Sequence, residues 1–291
     1  MILSKRSKWI ILVGLLPALL IYIIFSIVPI AMSFYYSLMS WNGFSDMEFV
    51  GFENFSKLFS DKLFWNSIKN NIYVVIASVV GQLSIALFLA ILLNRKLKGA
   101  KIFRTIGFIP VILSSVVVAL TWSLIYNSET GLLNELLRLI GLESLALNWL
   151  GDQKLAMISV CVTIIWQFIG LYLIIFLAGL QNIPTEILEA AKIDGASEWK
   201  QTWSIIIPML KETIFACLIL AISGSLKTFD QIYVMTNGGP AHATEVSAIY
   251  MYNKTFESLQ FGYGSAIAVM IFIFGIVLIA VTNLLIRRKS F

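Results

Sequence analysis

Histidine, cysteine and charge are scarce in this chain of 291 residues, and each shortage removes a class of function. The one histidine, His242, lies in a polar loop, and neither an HExxH run nor a paired-cysteine motif accompanies it. A metal site therefore has nothing to build on. The two cysteines, Cys161 and Cys217, each sit in the middle of an apolar run, which reads as two buried thiols and not as a disulfide framework. No GxxxxGK[ST] phosphate loop occurs, so the chain is not by itself a P-loop ATPase. Charged residues make up 13% of the chain and hydrophobic ones 59%. A soluble domain carries about 25% charged and about 45–50% apolar residues, so this is the composition of an integral membrane protein.

What the chain has in quantity is long apolar runs. Six of them lie at about 9–31, 71–93, 105–126, 155–180, 213–234 and 264–286. Each is near the roughly 20 residues that carry a helix across a bilayer core. The expected fold is all-α, a polytopic membrane protein with six transmembrane helices in one domain covering 1–291. The first run follows Lys5, Arg6 and Lys8, and Ala31-x-Ser33 loosely fits a signal-peptide cleavage site. The run is much longer than the 7–15 residues, roughly, of a signal core, which favours an uncleaved anchor. Between the spans, 32–70 is an aromatic-rich loop suited to the membrane interface, and 127–154 holds a short amphipathic helix from Leu132 to Ile140, ended by Gly141.

The net charge of +5 is explained by its distribution. Counting from the N-terminus, one side of the membrane collects Lys5, Arg6, Lys8, the connector Arg95, Lys96, Lys98, Lys101 and Arg104, then Lys192, Lys200, Lys211 and Arg287 to Lys289. The other side holds Lys57, Lys62, Lys69, Arg138, Lys154 and Lys254. The bias of basic residues toward the cytoplasm places both termini and the segment 181–212 there, and leaves nucleic-acid binding without support.

That segment is a polar, helix-forming interruption between the fourth and fifth runs. Pro184-Thr185-Glu186 reads as a helix start, with Pro pre-set for the first turn and an acid near the N-terminus. Ile187, Leu188 and Ala191 share a face by spacing. Gly195 permits a sharp turn, and Trp199, Trp203 and Ile206 form an apolar stripe on a second segment that leads to Pro208 at the start of the fifth span. By periodicity alone this is equally an amphipathic hairpin lying on the headgroups.

The wider spacing is more specific. Glu189-Ala190-Ala191, then Gly195, then Ile205-x-Ile207-Pro208 resembles the EAA motif of ATP-binding cassette importer permeases, EAA-x3-G-x9-I-x-L-P, with Ile207 in place of the usual Leu. Phe229 to Pro240, reading FDQIYVMTNGGP, is similar to the TxGGP segment of the maltose-type and glycerol-phosphate-type sugar permeases. Gly51-Phe52-Glu53-Asn54-Phe55 with Phe64-Trp65 is similar to a pair of motifs in their first outer loop. The resemblance covers nearly the whole chain and points to the first permease of the pair. It implies a second permease subunit, two ATPase subunits that bind ATP and Mg, and an extracytoplasmic solute-binding protein as partners, with membrane lipid around the spans. It also implies no catalytic residue and no cofactor in this chain. In that family the EAA helix sits in a cleft of the ATPase. The resemblance implies an ion pair there for Glu189, the turn for Gly195, close packing for Ala190, Ala191 and Ala196, and a place in the same docking surface for Asp194 and Pro208.

Sugars are recognised by aromatic faces and uncharged polar groups. The fourth span carries Trp166, Gln167 and Phe168 at its middle. For Trp and Phe, lipid contact or packing is the plain alternative. Gln167 is more informative, because an amide in hydrocarbon is costly without a partner and so faces inward, turning Phe168 and Leu171 toward neighbouring lining positions. By position relative to Gly195 and Pro208, these residues with Ala221, Gly224, Ser225 and Thr228 resemble the ones that line the sugar site of the maltose permease. Lys227 and Asp230, expected three apart on one helix, either neutralise each other or leave Lys227 free to attract an acidic sugar or phosphorylated polyol. The competing classes are a stand-alone secondary transporter or channel, which calls for inverted repeats and ion-coupling carboxylates, and a membrane-embedded enzyme, which calls for a His, Asp or Ser cluster. Neither signature is visible.

Overall fold

Apolar runs at bilayer depth become helices because a helix satisfies its own backbone hydrogen bonds. The computed structural model describes residues 5–94 and 99–287, with side chains described from 14 to 284 within them. The basic residues Arg95, Lys96, Lys98, Arg288 and Lys289, and the side chains of Lys5, Arg6, Lys8 and Arg287, lie outside the described residues. The chain divides into two compact units, Met1–Asp61 with Met251–Phe272, and Lys62–Tyr250 with Ile273–Phe291.

In the first unit, α1 runs from Lys5–Tyr22 through a π-helical turn at Ile23–Ile27 into Val28–Tyr36. A two-stranded antiparallel hairpin follows, β1 (Met39–Ser40) against β2 (Glu48–Phe49), and then α2 (Glu53–Ser60). Asn54 explains much of the outer-loop motif: its Nδ2 donates to the carbonyls of Ser37 and Met39, both at 2.9 Å, and so ties α2 to the hairpin's first strand. Gly51 just before it holds φ at +59°, a region that L side chains rarely adopt.

The second unit holds α3 (Lys62–Leu93), α4 (Ala100–Ile112), α5 (Ser115–Ile125), the short α6 (Leu132–Leu139), α7 (Ala156–Gln181), α8 (Thr185–Ile193), α9 (Glu198–Met209), α10 (Lys211–Leu226) and α11 (Asp230–Thr236). Two further helices, α12 (Ser247–Tyr252) and α13 (Phe261–Arg287), close the chain. Among the described residues, four helical stretches are long and apolar enough to cross a membrane: Gly14–Tyr36, Lys62–Leu93, Ala156–Gln181 and Phe261–Leu284. Two bent pairs, α4 with α5 and α9 with α10, bring the total to as many as six if each pair is one span.

Two apolar runs expected as straight spans are therefore interrupted. The run at 105–126 belongs to α4 and α5, which meet at 100°. Pro110 stands in the last turn of α4, and Leu113 and Ser114 beyond it are extended. Proline supplies no amide hydrogen, so it removes one backbone bond from the last turns of α4. The run at 213–234 is cut at 227–229, where α10 ends and α11 begins.

The packing of this unit centres on α7, more than half buried over its apolar length. Leu173, Phe176, Leu177 and Leu180 on α7 join Ala86, Ala90 and Leu93 of α3 with Leu210 and Cys217 in one buried cluster. Gly170 brings α7 against α4 so closely that a Cβ at that position would overlap the Gly107 carbonyl. Small residues of this kind let helix backbones approach where lipid offers no hydrophobic drive.

Candidate functional site

Two regions of the second unit carry the residues singled out by sequence. The first is the polar segment between α7 and α10. Pro184 takes the position before α8, with ψ of 128°, and Thr185 is the first helical residue. Helix α8 ends in a Schellman motif: Gly195 lies at φ +77°, its amide donates to Lys192 O at 3.1 Å, and the Ala196 amide donates to Ala191 O at 2.9 Å. Asp194 is the last residue before that turn. Ser197 then caps α9, accepting from the Lys200 amide at 3.3 Å, and Gln201 Nε2 returns to Ala196 O at 2.7 Å. The turn is thus fully hydrogen-bonded on its inner side. Ala191 and the nearby Ile183 and Leu210 are buried, while Glu189, Ala190 and Asp194 face outward. Trp199 and Trp203 stack obliquely at 5.5 Å between centroids and are 73% and 54% exposed. Pro208, expected to open the fifth span, sits inside α9, and the chain bends by 67° before α10 begins at Lys211.

The second region is a cavity of about 260 Å³ where α3, α5, α7, α10 and α11 converge. Phe168, Leu171, Ala221, Gly224, Ser225, Lys227, Thr228 and Asp230 all line it, as the sequence positions anticipate. Two expected pathway residues stand elsewhere. Trp166 is 41% exposed, packs edge-on to Trp122 at 5.5 Å and is not part of the cavity wall. It is one residue, about 100° around the helix, from Gln167. Gln167 is buried, and both ends of its amide are engaged by protein: Nε2 donates to Leu113 O at 3.1 Å, and Oε1 accepts from Gln231 Nε2 at 2.7 Å.

Lys227 and Asp230 do not share a helix. Lys227 is the C-terminal cap of α10 and Asp230 is the first residue of α11. Among the described residues no ion pair joins them. The expected i, i+3 pairing assumes helical geometry across 227–230, and the break at Phe229, with φ −127° and ψ −59°, removes it. Both side chains are exposed at the cavity and border it together.

Several wall residues were not anticipated. Ser78 and Gln82 come from α3, Ser115 from α5 and Gln231 from α11. Gln82 Nε2 donates to Ile164 O on α7 at 3.0 Å. The argument that singled out Gln167, an amide in an apolar run, applies equally to Gln82 and Gln231 and would have found both. Ser225 and Thr228 turn their hydroxyl hydrogens back to their own helix, at Ala221 O (2.7 Å) and Gly224 O (3.1 Å), which leaves oxygen lone pairs toward the cavity. The aromatic part of the wall is Phe168, Tyr172 and Phe229, the last stacked on Tyr233 at 4.9 Å.

Beside the cavity helices, the loop 237–246 is held by asparagines one turn apart on α3. Asn66 and Asn70 donate to His242 O at 2.9 and 3.1 Å, and Asn70 also donates to Glu245 O at 3.0 Å. Asn71 accepts from the Ser247 amide at 2.8 Å. The Gly-Gly-Pro turn is therefore clamped in place, with Gly238 at φ +81° against Glu245.

Broken and intact apolar helices around a cavity whose wall carries both polar and apolar side chains, with a hydrogen-bonded helical hairpin between two of them, are compatible with a membrane transport subunit. Residues 82–291 match the family described as binding-protein-dependent transport system inner membrane component, and the chain belongs to that family. It is 38% identical over 272 residues to the probable ABC transporter permease protein YurN of Bacillus subtilis, covering 92% of this chain and 93% of that one. It is 34% identical over 273 residues to the multiple sugar-binding transport system permease protein MsmF of Streptococcus mutans, covering 94% and 92%. Its fold is that of a chain in the crystal structure of a bacterial ABC transporter involved in the import of the acidic polysaccharide alginate, with a TM-score of 0.85, 24% identity and 98% of each chain covered. The chain is thus a multi-pass inner-membrane component of the ABC importer class.

Proposed function

We propose that this chain is one of two permease subunits of an ATP-driven importer for a sugar or oligosaccharide. The observation that carries the cargo class is the cavity, whose wall combines uncharged hydrogen-bonding groups (Ser78, Gln82, Ser225, Thr228, Gln231) with the aromatic side chains of Phe168, Tyr172 and Phe229. Hydroxyl-rich solutes are recognised by that combination. A relative named for multiple sugar transport supports the same class.

In this reading the Schellman-capped hairpin of α8 and α9 is where an ATPase subunit docks. Glu189 stands exposed on α8 and is free to pair with a basic group of that subunit. Gly195 sets the angle between the two helices. Closure of two ATPases on bound ATP and Mg pulls on this hairpin, and the short, rigidly capped turn transmits the movement to α7 and α10 on either side. A second permease completes the pathway, and an extracytoplasmic binding protein delivers the solute. Hydrolysis belongs to the ATPases, so this chain contributes no catalytic residue. The test is co-purification from cells expressing all subunits. Glu189→Arg is expected to lower ATPase recovery at least tenfold, about 1.4 kcal/mol in docking. Undiminished recovery and uptake would overturn the docking assignment.

A second reading of the cargo rests on Lys227, which borders the cavity without an ion pair to Asp230. A cation there, not ion-paired with the Asp230 carboxylate that borders the same cavity, favours an acidic sugar or a phosphorylated polyol. Lys227→Met separates the two readings. Uptake of a uronate-bearing oligosaccharide should fall about tenfold or more relative to a neutral one if the cation binds cargo. Equal effects on both, or none, would leave the neutral sugar as the cargo class.

A further inference from the structure

Another cavity of about 260 Å³ lies in the first unit, walled by β1 and the turn after it, by α2 and by the start of α13. Its frame is held by close contacts. Asn42 Oδ1 accepts from the amides of Phe44 and Ser45 at 3.0 and 2.8 Å, which closes an Asx turn between the two strands. Gly43 in that turn lies at φ +90°, and a Cβ there would overlap the Phe261 ring. The Gly262 amide donates to Trp41 O at 3.2 Å, and a Cβ at Gly262 would collide with Met39 O. The start of α13 is thus seated directly on the hairpin. Tyr263, 4% exposed, donates its hydroxyl to Asp61 Oδ2 at 2.7 Å, and Lys57 Nζ stands 5.0 Å from its ring centre. Leu259, also in the wall, holds φ at +54°, a backbone region uncommon for residues other than glycine.

Much of the bonding capacity of this wall is unspent. Asn42 uses its oxygen on the turn, and its Nδ2 hydrogens have no partner among the described residues. Asn54 uses both amide hydrogens on Ser37 O and Met39 O, so its oxygen is the one group it has left to offer. Among the described residues, the side-chain amide of Gln260 makes no hydrogen bond and Lys57 makes no ion pair. Among the same residues, no carboxylate lines the cavity. The wall therefore offers one cation, amide hydrogens and amide oxygens to a molecule from outside. A carboxylate with neighbouring hydroxyls matches that set. Ammonium and amide hydrogens bond a carboxylate, and the bond from the charged donor is the stronger kind. The Asn54 oxygen only accepts, as from a sugar hydroxyl.

We propose that this cavity is a second binding site, for a hydroxylated carboxylate such as a uronate ring of an oligosaccharide. Lys57 and Asn42 hold the carboxylate, and Asn54 and Gln260 hold ring hydroxyls. The charge bias of the sequence puts the loop 32–70 on the extracytoplasmic side, and on the importer reading that is the side from which solute arrives. Binding at this site needs neither ATP nor the cavity of the second unit.

The experiment measures equilibrium binding of trigalacturonate to the assembled importer in nanodiscs, without nucleotide and without the binding protein. A Lys227→Met background removes the cation of the other cavity, and maltotriose, with the same number of rings but no charge, is the control. Trigalacturonate should bind saturably and at least about tenfold more tightly than maltotriose. Lys57→Met should weaken it by about tenfold or more. Asn42→Asp keeps the oxygen that the turn needs but brings a negative charge to the carboxylate, and should weaken binding at least as much. Both side chains are exposed, so neither change removes buried packing. Absence of saturable binding, equal affinity for the two sugars, or an affinity that either substitution leaves unchanged would overturn the site. Binding that requires Lys227 would assign the anion to the cavity of the second unit and overturn it too. ATP-driven uptake is read separately on the same assembly with its binding protein. Trigalacturonate binding without uptake of any sugar would overturn the importer reading and leave this site standing.

Discussion

The hairpin of α8 and α9 and the wall of the cavity are both polar interruptions in apolar sequence, but they dispose of their polar groups in opposite ways. In the hairpin, backbone bonds and the caps at Gly195 and Ser197 satisfy the turn, and the side chains of Glu189, Asp194, Trp199 and Trp203 are left pointing outward. In the cavity wall, the side chains themselves are the mortar: Gln82 binds Ile164 O, Gln167 binds Leu113 O, and Gln231 binds Gln167. The first arrangement leaves side-chain bonding capacity for another molecule, as a docking surface requires. The second uses amide hydrogens of Gln82 and Gln231 within the chain, and leaves the hydroxyl oxygens of Ser225 and Thr228 and the charged groups of Lys227 and Asp230 at the cavity. On the function proposed above, a surface that binds a protein and a cavity that releases its cargo differ in this respect on physical grounds, because conduction needs binding weak enough to be undone.

This contrast can be broken most severely on the cavity side, at the joint between α4 and α7. Gly170→Val should destabilise the chain by about 3 kcal/mol, because its side chain meets the Gly107 backbone, which has no flexible end to move aside. Thermal unfolding in detergent is the measurement, and a midpoint equal to that of the native chain would show that α4 and α7 are not held at this distance. On the hairpin side, Gly195→Ala places a Cβ at φ +77°, for about 1–2 kcal/mol of strain, although nothing lies within 4 Å of that Cβ. The effect should be confined to the hairpin: faster proteolysis between α8 and α9, with the midpoint of the bundle unchanged. A lowered bundle midpoint would mean that the two regions are not energetically separate. The smallest effect is expected for Trp166→Phe, since that side chain is outside the cavity and partly exposed. Stability should change by roughly 0.5 kcal/mol and solute uptake not at all; a loss of uptake would return Trp166 to the pathway.

Much of this architecture is legible from local pattern. The apolar runs mark where helices lie, since hydrophobicity over about 20 residues is a property of composition. Gly195 and Ser197 announce a helix end and a helix start because the residues that tolerate left-handed backbone or supply a cap are few. Other features were out of reach for definite reasons. An interruption near Pro110 could be suspected from the proline, but the 100° bend and the close approach of Gly107 to Gly170, which are far apart in sequence, could not. Lys227 and Asp230 looked like a helical pair because spacing presumes an unbroken helix, and the helix is broken at 227–229. Trp166 and Gln167 are adjacent, and side-chain chemistry with the resemblance to the maltose permease put both on the pathway, whereas in the structure one is partly exposed and the other buried.

The sequence by itself determined that this is a membrane chain with a polar helical hairpin between its fourth and fifth apolar runs, and through a resemblance to sugar permeases it named about half of the residues that line the cavity. The membrane class and the hairpin follow from composition and from short-range spacing, which do not change when the chain folds. Only the tertiary structure decided which amides serve the wall and which face the space within it, where the two interrupted runs bend, and that Lys227 and Asp230 stand apart. Each of those depends on a partner atom supplied by a distant part of the chain, as Leu113 O and Gln231 are for Gln167 across separations of 54 and 64 residues.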